Sequence, residues 1–186
     1  MISSLKNILK GIMIFFKYRK VNFKYLGKNV NYKFINSKFH YSDRIVLEDN
    51  VQIGENADID GRGGLTIKHG TITAKNVSII TSDHYFEGED LKAIPFDNKI
   101  ILKPVVINEY VWIGRNVLIM PGVTIGKGVI IGAGSVIVKD IPDYAIAVGN
   151  PAVIKRYRDQ TIFKKLEKNK LAFLSEMSHE KIEISV

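Results

Sequence analysis

A chain of 186 residues with 46% hydrophobic and 25% charged residues has the balance of one soluble domain with a sizeable core. It has no cysteine, which excludes a disulfide framework, a thiolate nucleophile and a cysteine-held metal, and which fits a cytoplasmic protein. The net charge of +8 is concentrated: residues 1–40 hold eight lysines and Arg19 with no acidic residue, leaving 18 basic against 19 acidic residues elsewhere, which argues against a nucleic-acid-binding core.

The chain opens with a basic arm, residues 1–22. Leu5, Ile8, Leu9, Ile12 and Phe16 fall at helical spacing among Lys6, Lys10, Lys17 and Lys20, predicting a short amphipathic helix. The apolar run at 11–16 is too short to span a bilayer, and no small-residue cleavage site follows it. Two readings stay open: a cap on the first turn of the core, or residues 1–20 resting on an anionic membrane surface at its inner face.

The core domain is predicted over 23–154. After a degraded first hexad at 25–30, Leu47, Ile53, Ile59 and Leu65 follow at six-residue steps, with Val51, Ala57 and Gly63 two positions ahead of the last three. The stretch "DGRGGL" shifts the register by two, and Ile67, Thr73 and Ile79 resume it. From Ile107 the period is plain: Ile113, Ile119, Ile125, Ile131 and Ile137 continue it, with Val111, Val117, Val123, Val129 and Ser135 two positions ahead. A period of six with recurring glycine is not helical; it indicates a parallel β-helix, three hexads to a coil.

Between the two runs, "IITSDHYFEGEDLKAIPFDNK" obeys no repeat. A projecting loop is predicted over 80–100, carrying His84 in a polar setting with Asp83, Glu87, Glu89 and Asp90. Beyond the repeat, 155–186 is lysine-rich and holds Ile162, Phe163, Leu166, Phe173 and Leu174, predicting a C-terminal helical cap or tail.

The stretch "VWIGRNVLIMPGVTIGKGVIIGAGSVIVKDIP" with "AVGNPA", residues 111–152, resembles the hexapeptide-repeat acyltransferases. The likeness is greatest to the branch of galactoside, maltose and xenobiotic acetyltransferases and polysaccharide O-acetyltransferases. The resemblance implies an all-β solenoid, a left-handed parallel β-helix with a projecting loop and short terminal helices. It implies a homotrimer that uses acetyl-CoA, with no metal, on a sugar or glycan acceptor. His84 matches the place of the family's catalytic histidine, a general base for the attacking hydroxyl. Gly114 and the backbone N–H of Arg115 match the site facing the thioester oxygen, where a fixed donor meets developing charge. Trp112 matches a position near both pantetheine and acceptor. Ala133 matches a CoA-lining position, and Lys139 and Arg156 match basic residues near its phosphates. Asp83 is a candidate for acceptor binding or for orienting His84. Val138 and Val153 depart from the pattern, standing where relatives often carry Thr and a basic residue.

The expected activity is O-acetylation of a sugar hydroxyl on a surface polysaccharide or its precursor. N-acetylation of a nucleotide-linked amino sugar is the alternative. A zinc enzyme of the γ-carbonic anhydrase type fits poorly, because His40, His69, His84 and His179 contain no pair at ligand spacing. A non-catalytic scaffold is opposed by the intact motif set.

Overall fold

The computed structural model describes residues 9, 11–14, 17, 21–32, 34, 36–169 and 171–176. The body is a parallel β-solenoid of about six turns. Face 1 stacks Tyr25–Leu26, Ile45–Leu47, Leu65–Ile67, Val105–Ile107 and Thr124–Ile125. Face 2 stacks Ile72–Thr73, Trp112–Ile113, Ile130–Ile131 and Ala145–Gly149. Face 3 stacks Lys38–His40, Asp58–Asp60, Ser78–Ile79, Leu118–Ile119 and Val136–Ile137.

Strand pairing turns the sequence period into columns. Leu47, Ile67, Ile107 and Ile125 align on face 1. Thr73, Ile113, Ile131 and Ala147 align on face 2. Ile59, Ile79, Ile119 and Ile137 align on face 3. All are buried, so the hexad isoleucines are the core itself. Leu65 sits elsewhere than its six-residue step implies. It aligns with Ile45 and Val105, two positions ahead of the column residue Ile67, and 61–64 forms an enlarged corner. A buried hydroxyl replaces an apolar residue where the backbone needs a partner: Thr73 Oγ1 accepts the Gly54 N–H at 3.0 Å, and Ser135 Oγ accepts the Gly149 N–H at 3.1 Å.

Corner geometry explains the polar and glycine positions. At the two corners that follow faces 1 and 2 the backbone enters the left-handed region, at Asn50, Gly70, Tyr110 and Gly128 on one and at Asn56, Asn76, Asn116 and Gly134 on the other, with φ from 57° to 73°. Asparagine and glycine tolerate that conformation best. The asparagines also bond to one another across coils: Asn56 Nδ2 donates to Asn76 Oδ1 at 3.1 Å, and Asn76 Nδ2 to Asn116 Oδ1 at 2.8 Å. Gly54 answers a different need. A Cβ there would lie 2.3 Å from the Ala74 carbonyl oxygen of the next coil.

Phe23, Tyr32 and Phe39 close the first coil, edge to face, with centroids 5.0–5.9 Å apart. Most of the predicted basic arm lies outside the described residues. Of those described, Ile14 packs against the core and Lys17 Nζ donates to the Ser37 carbonyl, while Leu9, Ile12 and Met13 are exposed. At the other end Ala152–Tyr157 pairs antiparallel along Ala145–Gly149. Helix α1, Gln160–Lys168, starts where the Asp159 carboxylate accepts the Thr161 N–H at 2.7 Å. It runs along the side of the coils, its Phe163 meeting Tyr110 and Tyr144 edge to face. His179 and the remaining C-terminal residues lie outside the described residues.

Gly54→Ala is expected to lower stability by about 1–3 kcal/mol, since two coils must separate to admit one methyl group. Urea unfolding of the two proteins measures this, and an unchanged midpoint would contradict the close approach.

Candidate active site

The irregular stretch of the sequence folds as a β-hairpin. Ser82–His84 pairs antiparallel with Ile100–Leu102, so that His84 faces Ile100. Its origin is visible in the column spacing: Leu47 to Ile67 and Ile107 to Ile125 are single coils, whereas Ile67 and Ile107, also neighbours, are separated by the whole hairpin. The hairpin leaves at the corner between faces 3 and 1. Thr81 roots it there: its carbonyl accepts the Lys103 N–H at 2.9 Å, and its hydroxyl donates to the Asp60 carbonyl at 2.8 Å and accepts the Gly63 N–H at 2.8 Å.

His84 is exposed at the end of the strand. Its imidazole stacks on Phe96, ring centroids 3.9 Å apart and planes 25° from parallel. The Asp83 carboxylate accepts the backbone N–H of His84 at 2.8 Å, so the contact is with the main chain. Alternation along the strand turns the two side chains to opposite sides. Beyond His84 the loop is tied by polar contacts. The Tyr85 hydroxyl donates to Asp90, Lys99 Nζ lies 2.6 Å from the other Asp90 oxygen, and the same ammonium sits 4.5 Å from the Tyr85 ring centroid. The hydrogen bond to Asp90 raises the Tyr85 pKa; bonds from Lys99 and then Tyr85 lower that of Asp90; the bond to Asp90 raises that of Lys99. Asp97, buried, accepts the Lys99 N–H at 2.8 Å.

Of the other candidate residues, Trp112, Gly114, Arg115 and Ala133 lie across face 3 from this hairpin. Trp112 is on the outer side of face 2, 55% exposed. It faces an apolar groove of about 640 Å³ that Tyr110, Phe163, Leu166 and Phe173 also line. Gly114 and Ala133 are adjacent at the corner between faces 2 and 3. A Cβ on Gly114 would stand 2.7 Å from the Ala133 nitrogen. The Gly114 N–H is taken by the Ile131 carbonyl at 2.8 Å, and the Arg115 carbonyl accepts from Gly134 at 2.8 Å. The Arg115 N–H and the Ala133 N–H donate to no group among the described residues, so both are free donors there. Lys139, exposed, follows face 3 on the hairpin's own corner, and Arg156 lies on the terminal antiparallel strand opposite Ile146. Val138 and Val153 are exposed. Within one chain, the structure joins His84 to Phe96 and Gly114 to Ala133, and leaves these two groups on different corners.

Sequence reasoning missed Phe96 and the Tyr85, Asp90 and Lys99 contacts. Only their presence in the same irregular stretch as His84 pointed to them. Among the described residues no group of three or more His, Asp or Glu is placed to hold a metal, and no helix is long and apolar enough to cross a membrane.

The pattern described as bacterial transferase hexapeptide (six repeats) matches residues 104–139. An Escherichia coli (strain K12) protein named as a candidate colanic acid biosynthesis acetyltransferase, WcaF, is 30% identical over 136 residues, covering 73% of this chain and 70% of its own. The chain belongs to the hexapeptide-repeat bacterial transferase family. The galactoside O-acetyltransferase of Lactococcus lactis subsp. lactis is 33% identical, covering 81% of this chain and 63% of its own. This family member spans 57–63% of the length of several curated relatives it matches. Among solved structures, the hexapeptide-repeat acetyltransferase VCA0836 of Vibrio cholerae O1 biovar eltor, complexed with acetyl coenzyme A, superposes with a TM-score of 0.66 at 26% identity. That match covers 81% of this chain and 86% of the other. The N-acyltransferase AntD of Bacillus cereus shares the fold, with a TM-score of 0.66 at 22% identity over 87% of this chain and 96% of its own.

The loop contacts carry a pH dependence. Asp90, its pKa lowered, supports the loop above the ordinary carboxylate range and loses that effect as pH falls through its folded value. Lys99 and Tyr85, raised, lose theirs only as pH rises through their folded values. Exchange protection of the Tyr85 and Asp97 amides, both hydrogen-bonded within the loop, should hold from neutrality down to about pH 4 and fall below it. Asp90→Asn should remove the step; an unaltered acid profile in that variant would contradict the assignment.

Proposed function

We propose that the chain is an acetyl-CoA-dependent O-acetyltransferase acting on a sugar hydroxyl of a surface polysaccharide or its precursor. The observation that carries this reading is His84, projected by a corner hairpin where the hexad repeat breaks, in a family whose relatives are named as galactoside and polysaccharide acetyltransferases. The imidazole takes the proton of the acceptor hydroxyl as the oxygen attacks the thioester carbon. The tetrahedral oxyanion accepts a hydrogen bond from the free Arg115 N–H. Collapse expels the CoA thiolate, which recovers the proton from the imidazolium.

Geometry also supports an assembly. His84 and Arg115 flank face 3 on separate corners, so one chain does not bring base and oxyanion donor together. In a homotrimer the hairpin corner of one copy meets the opposite corner of the next, and the groove between them takes acetyl-CoA along Trp112, Ala133, Lys139 and Arg156. Asp83 lines the acceptor side. The contacts of Ile14 with the core and of Lys17 with Ser37 support the cap reading of the basic arm.

His84→Ala should lower kcat by roughly 10²–10⁴-fold with acetyl-CoA affinity nearly unchanged, because a base acts on the chemical step. Mass-spectrometric product analysis with sugar acceptors tests this, and near-normal turnover would remove His84 from the mechanism. Acetylation of an amine in place of a hydroxyl would convert the reading to N-transfer. Dialysis against a strong chelator should leave turnover intact; loss restored by zinc would overturn the metal-free chemistry.

A further inference from the structure

The corner that carries the hairpin is crossed by successive coils, and its side chains converge from far apart in the sequence. Asp60 links two of these crossings. One carboxylate oxygen accepts the Arg62 N–H at 3.0 Å, and the other accepts the Ser82 hydroxyl at 2.7 Å. Strand alternation puts His84 on the same side of the hairpin as Ser82, about 7 Å further along. The base therefore stands on the side of the hairpin that faces Asp60 and Arg62.

Arg62 and Arg44 both reach the ring of Tyr41. The Arg62 guanidinium carbon is 4.7 Å from the ring centroid, and Nη2 donates to the Tyr41 hydroxyl at 2.6 Å. The Arg44 guanidinium carbon is 6.0 Å from the same centroid, and its Nη1 donates to the Arg62 carbonyl at 2.7 Å. Neither guanidinium pairs with a carboxylate among the described residues. The Asp60 carboxylate accepts from a main-chain N–H and a hydroxyl. Arg62 Nε is buried and has no acceptor among the described residues. Two like charges brought to one ring and left without a carboxylate form a site arranged for an oxyanion.

We propose that Arg62, with Arg44 and Tyr41, binds an anionic group of the acceptor, so that the sugar presented to His84 is an acidic one. This rests on the reading of His84 as the base. The oxyanion sits at Arg62 while a hydroxyl of the same acceptor meets the imidazole. The shared chemistry is a resonance-stabilised oxyanion. Its source is either the carboxylate of a sugar acid or the phosphate of a sugar phosphate.

The test uses the full chain with acetyl-CoA and three acceptors: methyl galactoside, methyl glucuronide and glucose 1-phosphate. The wild type should favour one anionic acceptor over the neutral one in kcat/KM, and which one identifies the source. Arg62→Gln should lower that preference by roughly tenfold or more, mainly through KM. Arg62→Lys should restore part of it, and Arg44→Gln should lower it less. Saturation-transfer NMR of the same anionic acceptors gives a readout independent of turnover, and thermal melts separate loss of the site from loss of the fold. Arg44→Gln leaves Arg62 in place if Arg62→Gln fails to fold. Anion binding lost in Arg62→Gln, without acetyl transfer in the wild type, would keep the subsite and overturn the proposed chemistry. Turnover of neutral sugar with no anionic preference and no effect of either arginine would uphold the chemistry and overturn the subsite.

Discussion

The inner strands of each face are hydrogen-bonded to the coil below and the coil above, at the inter-strand spacing of about 4.8 Å. That spacing forces successive coils to keep one outline. A column position must hold a side chain that fills the interior without pushing its neighbours apart, and isoleucine does so through most of the core. Corners must turn within the same outline, which is why asparagine or glycine takes most of the left-handed positions and why Gly54 lies against the next coil. Extra chain cannot be absorbed in a face. It leaves at a corner, as two added residues near 61–64 or as the whole hairpin that carries His84.

The same constraint decides where chemistry can reside. Interior positions are apolar columns, and the polar groups buried among them serve backbone bonds, as Thr73 and Ser135 do. Functional side chains are left to the outer faces and the corners. Because each coil crosses each corner, residues twenty or forty positions apart become neighbours there: Tyr41, Arg44, Asp60, Arg62 and Ser82 are one cluster in space. Gly114 and Ala133 meet for the same reason at another corner. Under the proposed reaction the base and the oxyanion donor are corner residues of different corners, and adjacent copies supply the shortest route between them.

The parts of this arrangement that follow a period were legible in the sequence. Ile107 to Ile137 announce their columns because spacing of six has one structural solution, and the break at 80–100 announces itself against that rhythm. Leu65 was misplaced by two because a corner insertion resets the count without leaving a gap in hydrophobicity. Contacts across coils were not legible. Nothing in the spacing of Arg62 and Tyr41, or of Asp60 and Ser82, marks them as partners until the coil lengths are known. Phe96 was missed for a related reason: inside an irregular loop, no rule says which aromatic side chain will meet the imidazole.

The hairpin poses a last physical question, since it projects beyond the core yet must hold a base in place. Its backbone is satisfied by its own ladder and its root is fixed at Thr81, while Tyr85, Asp90 and Lys99 brace the tip. None of these devices buries apolar surface. Phe86, Ile94, Phe96 and Leu102 remain exposed, Ile94 at 89%. Apolar area on this scale yields about 25 cal/mol per Å² when covered, and a loop shaped before association pays little ordering entropy on docking. The proposed trimer covers such a loop with a neighbouring prism. Assembly and catalysis would then depend on the same residues, because the surface that holds the copies together also carries His84.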